Sequence, residues 1–370
     1  MKISSVEFIP VRIPLVAPFK PAWMPDETVT ARSGTLIKVH TDDDITGYGW
    51  QNSSGMEIKV VGESDNFRKN IVGLELSEFE RAIKFLSNLP VRMYGIEVGM
   101  WDAFGKSLGQ PIYRLIGGAA QKRVLAYAST AEMKAPKEQA EDALKYWNMG
   151  FRAIKIRSHH DVMEDDLAVI SAMRALIPSE MRIMVDANQA SPPSGPIWSY
   201  DRALKTAREL EKLDVTWLEE PLYHEAHEDL ARLCSEVDIP IAGAEDEQGF
   251  FRFKDLLSRD CFDLVQPDIA TSGGILQSRK VAIISESMNR MMVPHSFDTG
   301  ISLASALQVA GASPNVPYIE YAMDLPALDL GHEPLLKTPI NVGKDGYVVV
   351  PSKPGLGIEI DEQVVEKCKV

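Results

Sequence analysis

The chain is 370 residues long, 45% apolar and 25% charged, enough for a main core of about 200 residues and a second domain. Its net charge of −14 argues against a nucleic-acid surface or a polybasic membrane patch, and no stretch approaches the roughly 20 apolar residues of a membrane span. A small anionic substrate is not excluded, because a bound cation inverts the local field. Cys234, Cys261 and Cys368 form no close pair, so neither a disulfide framework nor a zinc knuckle is expected. The N-terminal stretch is interrupted by Pro10, Pro14 and Pro18 and does not read as a signal peptide; the expected location is the cytoplasm.

Residues 1 to about 50 read as β. Positions 3–12 and 34–40 alternate between apolar and polar, and TDDD (41–44) marks a turn before ITGYGW. Between the strands, PFKPAWMPDET (18–28) is too proline-rich for an element and carries Trp23. A second loop, GYGWQNSSGM (47–56), sets Tyr48 and Trp50 among glycines. Loops of this length in compact domains are usually functional or disordered. Helices are expected over 57–71, 77–88 and 95–109, the last with Ile96, Met100, Phe104 and Leu108 on one face. This is a small α+β domain over 1–123.

From Val124 the texture changes. Short apolar strands are expected at 124–129, 152–157, 182–187, 215–220, 239–245, 262–268, 291–296 and 318–322, with helical stretches such as 136–150 and 200–213 between them. Such alternation indicates parallel βα units. A doubly wound sheet would normally carry a glycine-rich phosphate turn, and no GxGxxG or GxxxxGK[ST] occurs. The expectation over 124–325 is therefore a (β/α)-barrel. The tail, 326–370, is turn-rich with one strand at 347–350 and is expected to return to the first domain.

Active sites of parallel barrels lie at the carboxyl ends of the strands. Those ends carry Lys155 and Arg157, Asp186 and Asn188, Glu219, Glu245, Asp268, His295 and Glu320. A single strand-end acid commonly caps the next helix, but stability does not require ionisable groups around a whole rim. Asp186, Glu219 and Glu245 fall about one strand–helix–strand repeat apart and form a cup of hard oxygen ligands, suited to Mg²⁺ rather than zinc. Such an ion takes a substrate carboxylate and holds the charge that develops when the neighbouring carbon loses its proton. Lys155 adds a second positive contact. Asp268 beside His295 fixes its tautomer and raises its basicity, making the imidazole a poised base. Glu320, if protonated, would donate to the developing enediolate. His160 is a further substrate-contact candidate, whereas His224 and His227 read as a surface loop. Gly273 and Gly274 offer an anion-binding helix start or simply shape a turn.

The ordered set AIKIR (153–157), VDAN (185–188), WLEEP (217–221), GAE (243–245), QPD (266–268), VPH (293–295) and YIE (318–320) resembles the enolase superfamily, and within it the mandelate racemase group. WDAFGKSLGQPIYRLIGG (101–118) and PGLGIEI (354–360) extend the resemblance over nearly the whole chain. It implies a modified (β/α)₇β TIM-type barrel under an α+β capping domain. It implies Mg²⁺ on Asp186, Glu219 and Glu245, an Asp268–His295 dyad, and Glu320 as electrophilic partner. The loops 18–28 and 47–56 become a substrate-selecting lid with Trp23, Tyr48 and Trp50, and Asn188 adjoins the site. A Lys or His base with Mg²⁺ is the superfamily's known chemistry, not a deduction from these residues.

One departure bears on the reaction. The family's Lys-x-Lys is here Lys155-Ile156-Arg157, and a guanidinium with pKa above about 12 is a poor proton shuttle. A two-base racemase needs a usable group on each face of the substrate, whereas β-elimination needs only the His295 face. Dehydration of an aldonic or aldaric acid to a 2-keto-3-deoxy acid is the favoured expectation. Racemisation, epimerisation or lactone cycloisomerisation on the same metal site is the rival, and a non-catalytic carboxylate-binding barrel is the reading from another class. The expected partner is a small sugar acid, and a homo-oligomer is common for barrels of this kind.

Overall fold

Alternation along the first fifty residues produces an antiparallel sheet of order β1 (Ile3–Phe19), β2 (Val29–Thr41), β3 (Thr46–Gln51). The computed structural model describes residues 1–52, 55–191 and 197–370, so Ser53 and Ser54 of the second lid loop lie outside the described residues. β1 runs to Phe19, well past the expected end at Arg12, despite Pro10 and Pro14. It is an edge strand, where a missing N–H is tolerated. Five helices follow: α1 (Gly55–Gly62), α2 (Asp65–Ile71), α3 (Phe79–Leu86), α4 (Gly95–Ser107) and α5 (Ile112–Leu115). The single helix expected over 57–71 is two, because the Ser64 hydroxyl accepts from the Phe67 N–H at 3.2 Å and starts a new one. α4 lies directly on β3. A Cβ on Gly47 or Gly49 would fall within 1.9 Å of the Gly99 or Gly95 carbonyl, so only glycine permits this approach.

The eight expected barrel strands are β4 (Arg123–Ser129), β5 (Ala153–Arg157), β6 (Arg182–Asp186), β7 (Val215–Glu219), β8 (Ile241–Gly243), β9 (Leu264–Val265), β10 (Met291–Met292) and β11 (Tyr318–Asp324). Parallel pairing runs unbroken from β10 back to β4 and on to β11. The connections carry α6 (Pro136–Met149), α7 (Met163–Leu176), α8 (Tyr200–Lys212), α9 (His227–Glu236), α10 (Phe250–Ser258), α11 (Ile269–Ser272) with α12 (Gly274–Ser287), and α13 (Gly300–Gly311). No helix directly follows β11, which makes the barrel (β/α)₇β. One buried side chain per strand fills the interior: Tyr127, Ala153, Met184, Trp217, Ala242, Leu264, Val293 (just beyond β10) and Tyr318. They pack as one cluster, so the ring closes around a solid plug.

Side chains two residues apart on a strand share a face. Two residues beyond the plug stand Ser129, Lys155, Asp186, Glu219, Ala244, Gln266, His295 and Glu320. The pleat that buries the plug therefore also builds a polar layer at the carboxyl end. Only Ala244 breaks it, and its φ of 79° turns the chain so that Glu245 reaches inward instead.

The tail does not pack on the first domain alone. After β12 (Leu328–Asp329), β13 (Tyr347–Val349) pairs antiparallel with barrel strand β4, and α14 (Glu362–Cys368) then packs on β1. Glu362 accepts from Lys38 and the Tyr48 hydroxyl, each at 2.7 Å. Cap and barrel are joined at Glu97 of α4, which accepts from the Ile275 and Leu276 amides at 2.7 and 2.9 Å and so caps α12. It also takes the Trp101 indole at 2.8 Å. Burial pushes its carboxyl up to about 7, against the pull of those three donors. Glu97→Ala would orphan all three, and at ~1–3 kcal/mol for each buried donor the expected loss is about 3 kcal/mol. Urea unfolding at pH 7 checks this, and a loss below about 1 kcal/mol would mean that water replaces the carboxylate.

Candidate active site

The strand ends converge on a cleft of about 440 Å³ between barrel mouth and cap, lined among others by Trp23, Arg157, Asn188, Glu220, Glu245, Asp268 and His295. Its floor is an ion network without solvent exposure. Lys155 Nζ lies 2.5 Å from Glu219 Oε1, 3.0 Å from Glu320 Oε1 and 3.5 Å from Asp186 Oδ2. Arg157 pairs with Asp186 through Nη1 and donates from Nε to the Thr130 carbonyl at 2.9 Å. The Trp217 indole donates to Glu219 Oε2 at 3.0 Å, and the Asn188 amide to Asp186 Oδ1 at 2.9 Å.

Three successive strand ends leave the sheet through left-handed backbone at non-glycine residues: Asn188 (48°), Glu220 (48°) and Ala244 (79°). Each costs about 1–3 kcal/mol and is characteristic of residues held for function. The expected metal ligands Asp186, Glu219 and Glu245 are carried on those same ends. Yet among the described residues no three His, Cys, Asp or Glu side chains converge as a ready-made metal site. Asp186 and Glu219 are instead drawn onto Arg157 and Lys155. The donor chemistry still fits a hard divalent cation. Burial, then mutual repulsion, pushes the carboxyls of Glu219, Glu220 and Glu245 upward, despite Lys155, Arg157 and His295 nearby. The site holds more buried carboxylates than counter-charge.

His295 and Asp268 form the expected pair. His295 Nδ1 donates to Asp268 Oδ2 at 2.9 Å, while Asp268 Oδ1 accepts from the Ala270 and Thr271 amides at 2.9 and 3.0 Å. One carboxylate is thus both helix cap and dyad partner. His295 Nε2 faces Glu245 Oε2 at 3.4 Å and Glu320 Oε2 at 3.7 Å. Burial pushes the imidazole down, but Glu245, Glu320 and Asp268 outweigh it and hold it well above its usual value.

Glu320 departs from the proton-donor expectation. It accepts from the Ser129 hydroxyl and the Ser296 amide, both at 2.7 Å, and from Lys155. Burial pushes it up, yet Lys155, His295 and the Ser296 amide prevail and keep it ionised. In this arrangement it holds Lys155. Trp23 stacks over Arg157 at 4.7 Å and meets Phe297 edge-on at 5.5 Å, bringing the proline-rich loop over the cleft. Trp50 is buried beside Asp268 and His295, its indole bound to Asp298.

Tyr48 is not in the cleft. It shares a face with Trp50 but lies about 7 Å further back along β3, where it reaches α14. His160 is also elsewhere: its Nδ1 contacts Asp166 at 2.7 Å, and Arg202 holds the other Asp166 oxygen. His224 contacts Glu247 rather than the cleft. The Gly273–Gly274 turn starts α12 and receives Glu97, a carboxylate of the chain itself. Residues missed in the sequence include Arg92, Asp246, Phe297 and Asp298, all lining the cleft. Phe297 and Asp298 directly follow the histidine in HSFDTG, a signal that could have found them; Arg92 had none.

Residues 7–117 match the mandelate racemase / muconate lactonizing enzyme N-terminal domain, and residues 138–364 match the enolase C-terminal domain-like family. The chain belongs to the enolase superfamily. It is 31% identical to an arabinonate dehydratase of Saccharolobus solfataricus, over 90% of each chain. It is 28% identical to a D-galactarolactone cycloisomerase of Agrobacterium fabrum, over 100% of this chain and 99% of the other. The crystal structure of the 3,6-anhydro-D-galactonate cycloisomerase from Zobellia galactanivorans superposes with a TM-score of 0.84, at 27% identity and full coverage of both chains. These three relatives are thus a sugar acid dehydratase and two cycloisomerases. No helix of the described residues is long and apolar enough to cross a membrane.

Proposed function

We propose that this superfamily member abstracts the proton α to a sugar acid's carboxylate with His295 and eliminates the β-hydroxyl, giving a 2-keto-3-deoxy acid. The observation that carries it is the asymmetry of the cleft. His295 is poised on Asp268, whereas Arg157, which replaces the family's second lysine, remains a cation. Burial pulls Arg157 down, but Asp186, Glu219 and Glu320 more than compensate. It cannot take a proton at working pH.

Asp186, Glu219 and Glu245 would hold Mg²⁺, which would supply a Lewis acid for the substrate carboxylate and the charge that develops on it; Glu245 so engaged would raise the imidazole's pKa less. Lys155 adds fixed positive charge, held in line by Glu320. His295 removes the α-proton, and Asp268 keeps Nδ1 protonated so that Nε2 is the accepting atom. The imidazolium then protonates the departing hydroxyl from the same side, and the enol left behind tautomerises. Trp23 and Phe297 shield Arg157 from water. The likeness to cycloisomerases supports a second reading on the same dyad, in which the proton returns to the substrate or a lactone is formed. The protein as an enzyme of the cytoplasm and as a homo-oligomer belongs to the same proposal.

The reaction test is ¹H NMR in D₂O on both epimers of a turned-over acid. The wild type is expected to exchange one configuration only and to lose water. Arg157→Lys puts on the opposite face an ammonium, which unlike a guanidinium can give up its proton. Slow exchange of the other epimer, with dehydration about tenfold weaker, is the expected result. Rapid exchange of both epimers by the wild type would move the assignment to a racemase or epimerase. Deuterium entering without loss of water would favour the cycloisomerase reading.

A further inference from the structure

The cleft is unevenly charged. Among the described residues its lining cations are Arg157, Arg92 and, when protonated, His295. Ser53, Ser54 and residues 192–196 carry no charged side chain. Arg157 is committed to Asp186 and the two aromatic rings. Arg92, on the cap loop before α4, is committed to Asp246 beyond β8, with Nη1 3.2 Å from Oδ1 and Nη2 3.2 Å from the carbonyl. Against these stand Glu220, Glu245, Asp246, Asp268 and Asp298.

The polar atoms left over include acceptors, beside the hydroxyls of Ser191, Thr271 and Ser302 and the carboxamide of Asn52. Asp298 gives one oxygen to the Trp50 indole and lies beside the Arg32 guanidinium. Asn188 Oδ1 is buried without a partner among the described residues. A buried acceptor left unpaired is costly, so the Asn188 oxygen is matched to a donor that arrives with a ligand. Hydroxyl groups bring donors; a carboxylate brings none.

We infer that the substrate enters as a monoanion whose one carboxylate goes to the Lys155 end and whose remaining chain is uncharged and hydroxylated, with Asn188, Asp298 and Asp246 receiving its hydroxyl hydrogens. This rests on the carboxylate-substrate reading above and deepens it: aldonates are taken and aldarates refused. A second carboxylate finds no uncommitted cation. Each acid within about 6 Å disfavours it by on the order of tenfold after screening.

The test pairs aldonates with aldarates of the same length and configuration, on the Mg²⁺-loaded enzyme, reading α-proton exchange and 2-keto acid release. The best aldonate is expected to exceed the best aldarate in kcat/KM by about a hundredfold, with the gap narrowing as salt is raised. Asp246→Asn, at a largely exposed side chain, removes one acid and releases Arg92. It should raise the aldarate-to-aldonate ratio about tenfold. Asp298→Asn should lower kcat/KM for the aldonate through KM more than kcat. An aldarate processed as well as its aldonate, or a ratio unmoved by Asp246→Asn, would overturn the inference while leaving α-proton abstraction standing. Exchange with neither class would overturn both.

Discussion

Asp186→Asn, Glu219→Gln and Glu245→Gln are each expected to abolish turnover, with a fall on the order of 10³-fold or more, and exhaustive chelation of the wild type should do the same. The physical reason is the charge of the floor. Asp186, Glu219 and Glu320 are fully buried, and Lys155 and Arg157 are the fixed cations that answer them. Bringing in a substrate carboxylate, and then loading it with further charge as the α-proton leaves, requires more positive charge than two side chains carry. Removing one carboxylate oxygen weakens the grip on a hard cation. Binding of Mg²⁺ by calorimetry separates this from loss of folding: the variants should keep their far-UV spectrum and lose the binding heat. Full activity after chelation would show that Lys155 and Arg157 suffice by themselves, and the cup assignment would fall.

His295→Asn should lower proton exchange and dehydration together by about 10²–10⁴-fold, because Asn supplies no group that titrates near neutrality. Asp268→Asn should cost less in rate, about tenfold to a hundredfold, by disordering the imidazole and favouring the wrong tautomer. It also loosens the start of α11, since Asp268 Oδ1 holds the Ala270 and Thr271 amides. A thermal melt isolates the second effect: Asp268→Asn should lower stability by about 1 kcal/mol for the lost cap. Exchange that survives in His295→Asn would mean another residue is the base.

Most of the barrel was legible in the sequence, for a physical reason. A strand buried on both faces must be an apolar run, and one that ends at water must end in polar residues. RIMVD and VTWLE say both things in five residues each, so strand order, direction and the rim on which charges collect followed from local pattern alone. Arg157 is likewise a fact of sequence. Its guanidinium cannot be a neutral base wherever the fold takes it.

What only tertiary structure decided are the matters set by distance and partner. Tyr48 and Trp50 are indistinguishable on paper, yet two residues of strand separate a neighbour of Asp268 and His295 from a tie to α14. His160 follows a catalytic strand, but Asp166, one turn into α7, captures it. Glu320 is a carboxylate whose protonation depends on Lys155, His295 and Ser296, brought to it from other strands and loops. Arg92 lies in a connection with no motif, and it reaches the cleft only because Glu97 of α4 ties the cap to the barrel. Periodicity reports which face a side chain takes; which groups meet across that face depends on strand ends and loops from distant parts of the chain.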